Sequence, residues 1–300
     1  MPNVIVGVDA GGTKTAVAHR VDDGPVRVLT ADGANAATLG AERAVATIAS
    51  LVERTLDGAH PHALFVGMAG GGTPELANAV QDGLQSRFER ARIAVRDDAS
   101  IALRANIPDG DGVALIAGTG SIAYAEREGQ SFRTGGFGYL LGDEGSGFSL
   151  GAAAIKYLLR VYDDRAKRDA LADAVEKYLN TTQSVEVIAN IYGSKLPVAT
   201  IAGAAAIVIE LAGTGERSAT KIVQGAALEL SELAKTVVRK AGLTGSSAPI
   251  AFSGGLLAGN SILSYLLETR LLNEFPSMPV VKTANPPVTG ALLLAQRLVA

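Results

Sequence analysis

Two short segments, Asp9-Ala-Gly-Gly-Thr-Lys-Thr15 and Ala117-Gly-Thr-Gly-Ser121, have the composition of an anion cradle. Small residues let backbone N–H groups approach a ligand, and hydroxyls can donate to phosphate oxygens. Both sit between two strand-like runs, so neither is a Walker loop or a dinucleotide fingerprint, where a helix follows. One such turn alone could be an ordinary glycine-rich hairpin. The pair suits a triphosphate held between two domains. Asp9 could hold Mg²⁺ through water, because that ion needs only one or two carboxylates, or it could simply accept from turn amides.

Asp98 ends a strand-like run between the two loops, where a carboxylate could take the proton of an attacking hydroxyl, as phosphoryl transfer requires. Asp97 competes for that role, and Asp98 could instead cap a helix over Ala99–Ala105. The stretch from Gly135 to Phe148, Gly-Gly-Phe-Gly-Tyr-Leu-Leu-Gly-Asp-Glu-Gly-Ser-Gly-Phe, has five glycines by Gly145 and the adjacent acids Asp143 and Glu144. It reads as a loop whose backbone approaches a ligand, with a flexible interdomain loop as the alternative. Ser253-Gly-Gly-Leu-Leu257 has the small-residue profile of a floor for a planar ring, or of a plain αβ turn.

The elements that must position these residues follow from periodicity. Val4–Val8, Thr13–Val21 and Val26–Thr30 read as three strands, with Asp22-Asp-Gly-Pro25 as a turn. Ala41–Leu56 spaces Ala44, Ile48, Leu51, Val52 and Leu56 as an amphipathic helix. Ala63–Ala69 reads as a buried strand, Thr73-Pro74 as an N-cap and first helical residue of a helix to about Arg90, and Ile93–Arg96 as a further strand. The pattern then restarts with strands at Val113–Ala117, Ile122–Glu126 and Gln130–Thr134, the last two joined by a Glu128-Gly129 turn. Helices are expected at Gly151–Tyr162, Arg165–Leu179, Ser218–Ala241 and Thr289–Val299, and a late strand at Pro249–Ser253. Two half-chains that each begin with strand, glycine turn and hairpin imply duplicated α/β domains facing each other. The expected division is residues 1–112, completed by a C-terminal helix at 289–300, and residues 113–288, with a hinge near Pro108-Asp-Gly-Asp-Gly112.

Bulk properties narrow the chemistry. At 300 residues, 48% apolar and 19% charged, the chain suits a two-domain globular protein, with no apolar run of the ~20 residues that span a bilayer. No membrane role is expected. The net charge of -3, with scattered Lys and Arg, leaves no electrostatic footprint for nucleic acid. The chain has no Cys, which removes thiolate catalysis and Cys-ligated zinc or iron–sulfur sites. No secretory signal is recognised, and a cytoplasmic location is expected. His19, on a strand, and His60 and His62, either side of Pro61 in a loop, read as surface or structural.

On these motifs the sequence resembles the N-acetylglucosamine kinases and BadF/BadG/BcrA/BcrD-type ATPases of the sugar kinase, Hsp70 and actin superfamily. The first loop resembles the family's first phosphate motif, Gly118–Ser121 its second, Ser253-Gly254-Gly255 its adenosine motif and Pro287-Val-Thr-Gly-Ala291 its closing segment. Gly135-Gly-Phe-Gly followed by Gly142-Asp-Glu-Gly-Ser146 resembles the acetylamino-sugar kinase signature. The resemblance implies two ribonuclease H-like, actin/hexokinase-type domains closing over ATP and sugar. It implies nucleotide contacts at Gly11, Gly12, Thr13, Lys14, Gly118, Thr119, Gly120, Gly213, Ser253, Gly254 and Gly255. Asp98-Ala99 matches the family's strand-terminal Asp-Ala pair, which makes Asp98 the base. Asn35, Ser121, Gly135, Gly136 and Asp143 become sugar contacts beside Asp98, and Asp9 the metal residue, for a homodimer using ATP and Mg²⁺. The expected reaction is ATP-dependent phosphorylation of an amino sugar, N-acetylglucosamine at its 6-hydroxyl. The alternatives are a kinase of N-acetylmuramic acid, glucosamine or glucose, and a nucleotide-switched module that phosphorylates no sugar. The absent cysteines exclude the iron–sulfur activases, and Phe137 stands where the signature more usually has Trp.

Overall fold

Seven residues from Val4 to Ala10, nearly all buried and largely β-branched, form the central strand of a first sheet. The computed structural model describes residues 2–11, 14–33, 39–194, 197–282 and 285–300. β1 (Val4–Ala10) pairs antiparallel with β2 (Lys14–Val21), which pairs antiparallel with β3 (Arg27–Asp32). On its other edge β1 runs parallel to β4 (Ala63–Met68), and β4 parallel to β5 (Arg92–Asp97). The order is β3-β2-β1-β4-β5. The parallel pairs need crossovers, supplied by α1 (Ala41–Leu56) and α2 (Pro74–Arg87). Both pack on one face through Ile48, Leu51, Val52, Val80 and Leu84. The other face is covered by α3 (Asp98–Asn106) and the C-terminal α11 (Pro287–Arg297) through Ile101, Val288, Ala291 and Leu292.

The second sheet repeats the plan. β6 (Gly112–Ala117), β7 (Ser121–Arg127) and β8 (Gln130–Gly135) form the antiparallel meander, and β6 is parallel to β9 (Ile250–Ser253), which is parallel to β10 (Val280–Val281). The order β10-β9-β6-β7-β8 is that of the first sheet read from the opposite edge. Glu128 and Gly129 take positive φ of 49° and 81°, the pairing of a two-residue hairpin whose twist matches its strands. Between β8 and β10 lie α4 (Gly147–Tyr162), α5 (Ala170–Leu179), α6 (Ser184–Tyr192), α7 (Pro197–Gly203), α8 (Ala205–Gly213), α9 (Arg217–Lys240) and α10 (Ile262–Glu274). They build one core with β6 and β9 around Leu115, Phe252, Leu150, Leu158 and Leu230. The chain divides into two compact units, Met1–Gly110 with Asn285–Ala300, and Asp111–Ala284. Among the described residues no single helix is long and apolar enough to cross a membrane.

Several element ends differ from expectation. α2 stops at Arg87 because Phe88 turns inward to the core, and Thr73, although at the N-cap position, makes no side-chain capping bond. α5 starts only at Ala170, where the Asp169 carboxylate accepts from the Ala172 N–H. α4 begins four residues earlier than expected, because Ser146 caps it by accepting from the Ser149 N–H.

Candidate active site

In the first unit, parallel strands bring three carboxylates to one end of the sheet. The register Ala10↔Met68↔Asp97 sets the ends of β1 and β5 on either side of β4, where ligands of open α/β sheets bind. Asp97 is the N-cap of α3: its carboxylate accepts from the Ala99 N–H at 3.0 Å. That corrects the capping alternative for Asp98, which is instead the first helical residue. Its position depends on close packing beneath it. A Cβ at Gly67 would lie 2.4 Å from the Ile101 side chain, so only glycine on β4 lets α3 descend this far. Gly290 does the same for α11 against α3, where a Cβ would lie 2.0 Å from the Ile101 carbonyl oxygen.

Electrostatics separate the three acids. Desolvation, then the charge of Asp97, a hydrogen bond with its carboxyl and the charge of Asp9 push the Asp98 carboxyl up to about 7. Burial raises Asp9 to about 6, against the opposing pull of the Lys14 ammonium. Asp98 keeps partial solvent exposure, so it is a carboxyl poised between its two forms near neutrality and still reachable. Such tuning is a mark of functional sites, because a proton acceptor works best when its pKa lies near the operating pH. The neighbouring carboxyls of Asp9 and Asp98 also fit a divalent cation. Among the described residues no group of three or more His, Asp or Glu could cage one, and Mg²⁺ held by a carboxylate and phosphate oxygens needs no cage. In the first loop, Gly11 donates its N–H to the Lys14 carbonyl at 3.1 Å, closing the turn. Gly12, Thr13 and Asn35 lie outside the described residues.

In the second unit the glycine segments converge. The Gly118 N–H donates to the Gly120 carbonyl at 2.9 Å, closing the β6–β7 turn. The start of α4 is tied to the same turn, since the N–H groups of Gly147 and Phe148 donate to the carbonyls of Gly118 and Thr119. Ser121 donates its hydroxyl to the Glu144 carbonyl at 2.8 Å. Asp143, in a left-handed conformation at φ 58°, lies against the turn: a Cβ at Gly120 would sit 2.6 Å from its Oδ2. Burial raises the Asp143 carboxyl, offset by N–H donors from Ser121 and Gly138. Gly254, at φ +83°, packs so closely under the turn that a Cβ would be 2.4 Å from the Ala117 carbonyl oxygen, while Gly255 faces open space. Thus Gly118–Ser121, Asp143 and Ser253–Gly255 form one cluster. Gly135 and Gly136 end β8 with positive φ, and the Arg133 guanidinium donates to the Gly136 carbonyl at 3.1 Å. Gly213 ends α8 on the surface.

Two histidines are built into the first sheet's framework. His62 Nδ1 accepts from the Val4 N–H at 3.1 Å, a structural bond to the start of β1. His19 is buried on β2, and burial lowers its pKa. Sequence reasoning missed Ser146 and the role of Asp97. Ser146 was legible as a Ser just before a helical pattern.

Comparison with known proteins agrees with the fold and the motifs. An N-acetylmuramic acid/N-acetylglucosamine kinase of Clostridium acetobutylicum is 29% identical over 97% of this chain and 98% of its own. An N-acetyl-D-glucosamine kinase of Dictyostelium discoideum is 31% identical over 69% of this chain and 66% of its own. Among solved structures, a candidate N-acetylglucosamine kinase of Chromobacterium violaceum superposes with a TM-score of 0.75 at 24% identity, covering 98% of this chain and 99% of that one. Residues 6–295 match the model of the BadF/BadG/BcrA/BcrD ATPase family, and the chain belongs to that family.

Proposed function

We propose that this protein phosphorylates an amino sugar from ATP, with N-acetylglucosamine as acceptor at its 6-hydroxyl and Asp98 as the base. That it is an ATP-dependent sugar kinase rests on its family and on the two curated kinases above. The observation that carries the finer reading is Asp98 itself, a reachable carboxyl raised to about 7 beside two further acids. In its ionised form it accepts the proton of the sugar hydroxyl as the phosphoryl group transfers. The loop of Gly11, Gly12, Thr13 and Lys14 and the loop of Gly118, Thr119 and Gly120 offer amide and hydroxyl donors to the phosphates. Ser253, Gly254 and Gly255 border the adenosine, with Gly213 a further nucleotide contact. Asn35, Ser121, Gly135, Gly136 and Asp143 hold the sugar hydroxyls. Mg²⁺ would lie at Asp9, where it neutralises charge developing on the phosphates. Supporting the choice of acceptor are the Gly142-Asp-Glu-Gly145 segment and the two acetylamino-sugar relatives; a glucosamine kinase of Vibrio cholerae, 28% identical over 59% of this chain, keeps the unacetylated sugar in contention.

The test is ADP release over a panel of N-acetylglucosamine, N-acetylmuramic acid, glucosamine and glucose, with the product's phosphorylated position read by NMR. N-acetylglucosamine is expected to give the highest kcat/KM, with phosphate on the 6-oxygen. Turnover unchanged by every sugar would leave a nucleotide-switched module in its place.

A further inference from the structure

α4 and α9 carry matching pairs of cations: Lys156 and Arg160 on the first, Arg217 and Lys221 on the second. Each pair is spaced i,i+4, so each projects from one face of its helix. The two faces line one groove of about 580 Å³, with Tyr157 and Ser218 between them and the remaining lining aliphatic. No acid lines it. Asp169 accepts from the Tyr157 and Ser218 hydroxyls, each at 2.6 Å, and from the Ala172 N–H, and Glu216 accepts from the Ala219 N–H at 2.6 Å as the N-cap of α9. Among the described residues none of the four cations forms an ion pair, and Arg160 donates to the Arg165 carbonyl at 3.5 Å.

Like charges at i,i+4 destabilise a helix, and two such pairs facing one groove add to that cost. An anion removes it. The volume lies in the range of small-molecule sites. We propose that this groove binds a phosphate ester, its phosphate oxygens taken by Lys156, Arg160, Arg217 and Lys221 and its organic part lying on Tyr157. A site for nucleic acid is disfavoured by the scatter of the remaining Lys and Arg. The groove is separate from the candidate active site, because Lys156 stands ten residues along α4 from Ser146, about 15 Å of helix. It is nevertheless built on the helices that carry the glycine loop, since Ser146 caps α4 and Gly145 packs on Leu230 of α9.

The full chain is titrated calorimetrically with inorganic phosphate, tripolyphosphate and glucose 6-phosphate, each with the nucleotide loops saturated by a non-hydrolysable ATP analogue. Saturable binding of one equivalent is expected, weakened at least tenfold in Arg160→Gln/Lys221→Gln and unchanged in Arg43→Gln. Because all three altered side chains are exposed, circular dichroism should match the parent. Tighter binding of the sugar phosphate than of tripolyphosphate supports the ester, and the reverse order overturns it. No saturable binding, binding abolished by the ATP analogue, or binding indifferent to the double variant overturns it. So does binding of a duplex oligonucleotide or of anionic vesicles without binding of the small anions. The readout is independent of sugar turnover, so the groove and the kinase reading stand or fall separately.

Discussion

The two units share one strand order but differ at one corner. In both, the central strand runs into a glycine turn and an antiparallel meander, and in both the neighbouring parallel strand ends in glycines, Gly70–Gly72 after β4 and Gly254-Gly255 after β9. The next strand separates them. β5 ends at Asp97 and is followed by Asp98, whereas β10 ends at Val281 and is followed by Lys282, which is ion-paired with Glu268 on α10. The duplicated scaffold has a glycine turn after the central strand in both copies and a pair of adjacent acids at this corner in one.

The largest effect expected from breaking this asymmetry is at Asp98. Asp98→Asn removes the base and keeps the volume, so kcat should fall about 10²–10⁴-fold with the fold intact by circular dichroism. A fall under tenfold would move the base elsewhere. Asp97→Asn should behave differently. Asn remains a good N-cap for α3, so kcat near pH 8 should stay within about tenfold. Removing the charge of Asp97 should shift the acid limb of the kcat profile toward lower pH, because that charge helps raise Asp98. An unmoved limb would show that the titrating group is not Asp98.

Next are the glycine turns of the second unit, where backbone and not charge is at stake. Gly254→Ala forces a left-handed side-chain residue and a contact of 2.4 Å with the Ala117 carbonyl oxygen, so urea unfolding should show a loss of about 2–4 kcal/mol. Gly118→Ala meets nothing within 4 Å and should stay within about 0.5 kcal/mol of the parent, while raising KM for ATP if the Gly118 turn cradles phosphate. Equal stability losses in both would contradict the packing described here.

Legibility in the sequence divided along the same line. The β1–β3 and β6–β8 meanders, α1 and the sheet class followed from periodicity and turn residues, because each element is amphipathic or punctuated by Gly and Asp. The division of labour between Asp97 and Asp98 was not readable, since both are acids one position apart, and only the cap geometry separates them. The contact of Asp143 with Gly120 was equally hidden. It joins residues 23 apart through a left-handed turn, and such long-range closeness has no local pattern. Helix α6 exposes Val185, Ile188 and Tyr192, and so lacks the one-sided apolar signal that sequence reading relies on.

The subtlest prediction concerns stability against pH. Asp98, at about 7, and Asp9, at about 6, lie above the ordinary carboxylate value of 3.8, so the folded chain holds these protons more tightly than the unfolded chain. Stability from these groups is therefore complete below about pH 4 and is lost as pH rises to 7. Asp98→Asn removes the larger share of that loss. The variant should be more stable than the parent at pH 8, by on the order of 2 kcal/mol, and equal to it near pH 4. Lys282→Met, at the matching corner of the second unit, breaks a partly exposed pair and should cost about 1 kcal/mol or less, with kcat within about twofold of the parent. If instead Lys282→Met lowers kcat as far as Asp98→Asn, the second copy carries chemistry of its own and the asymmetry between the units fails.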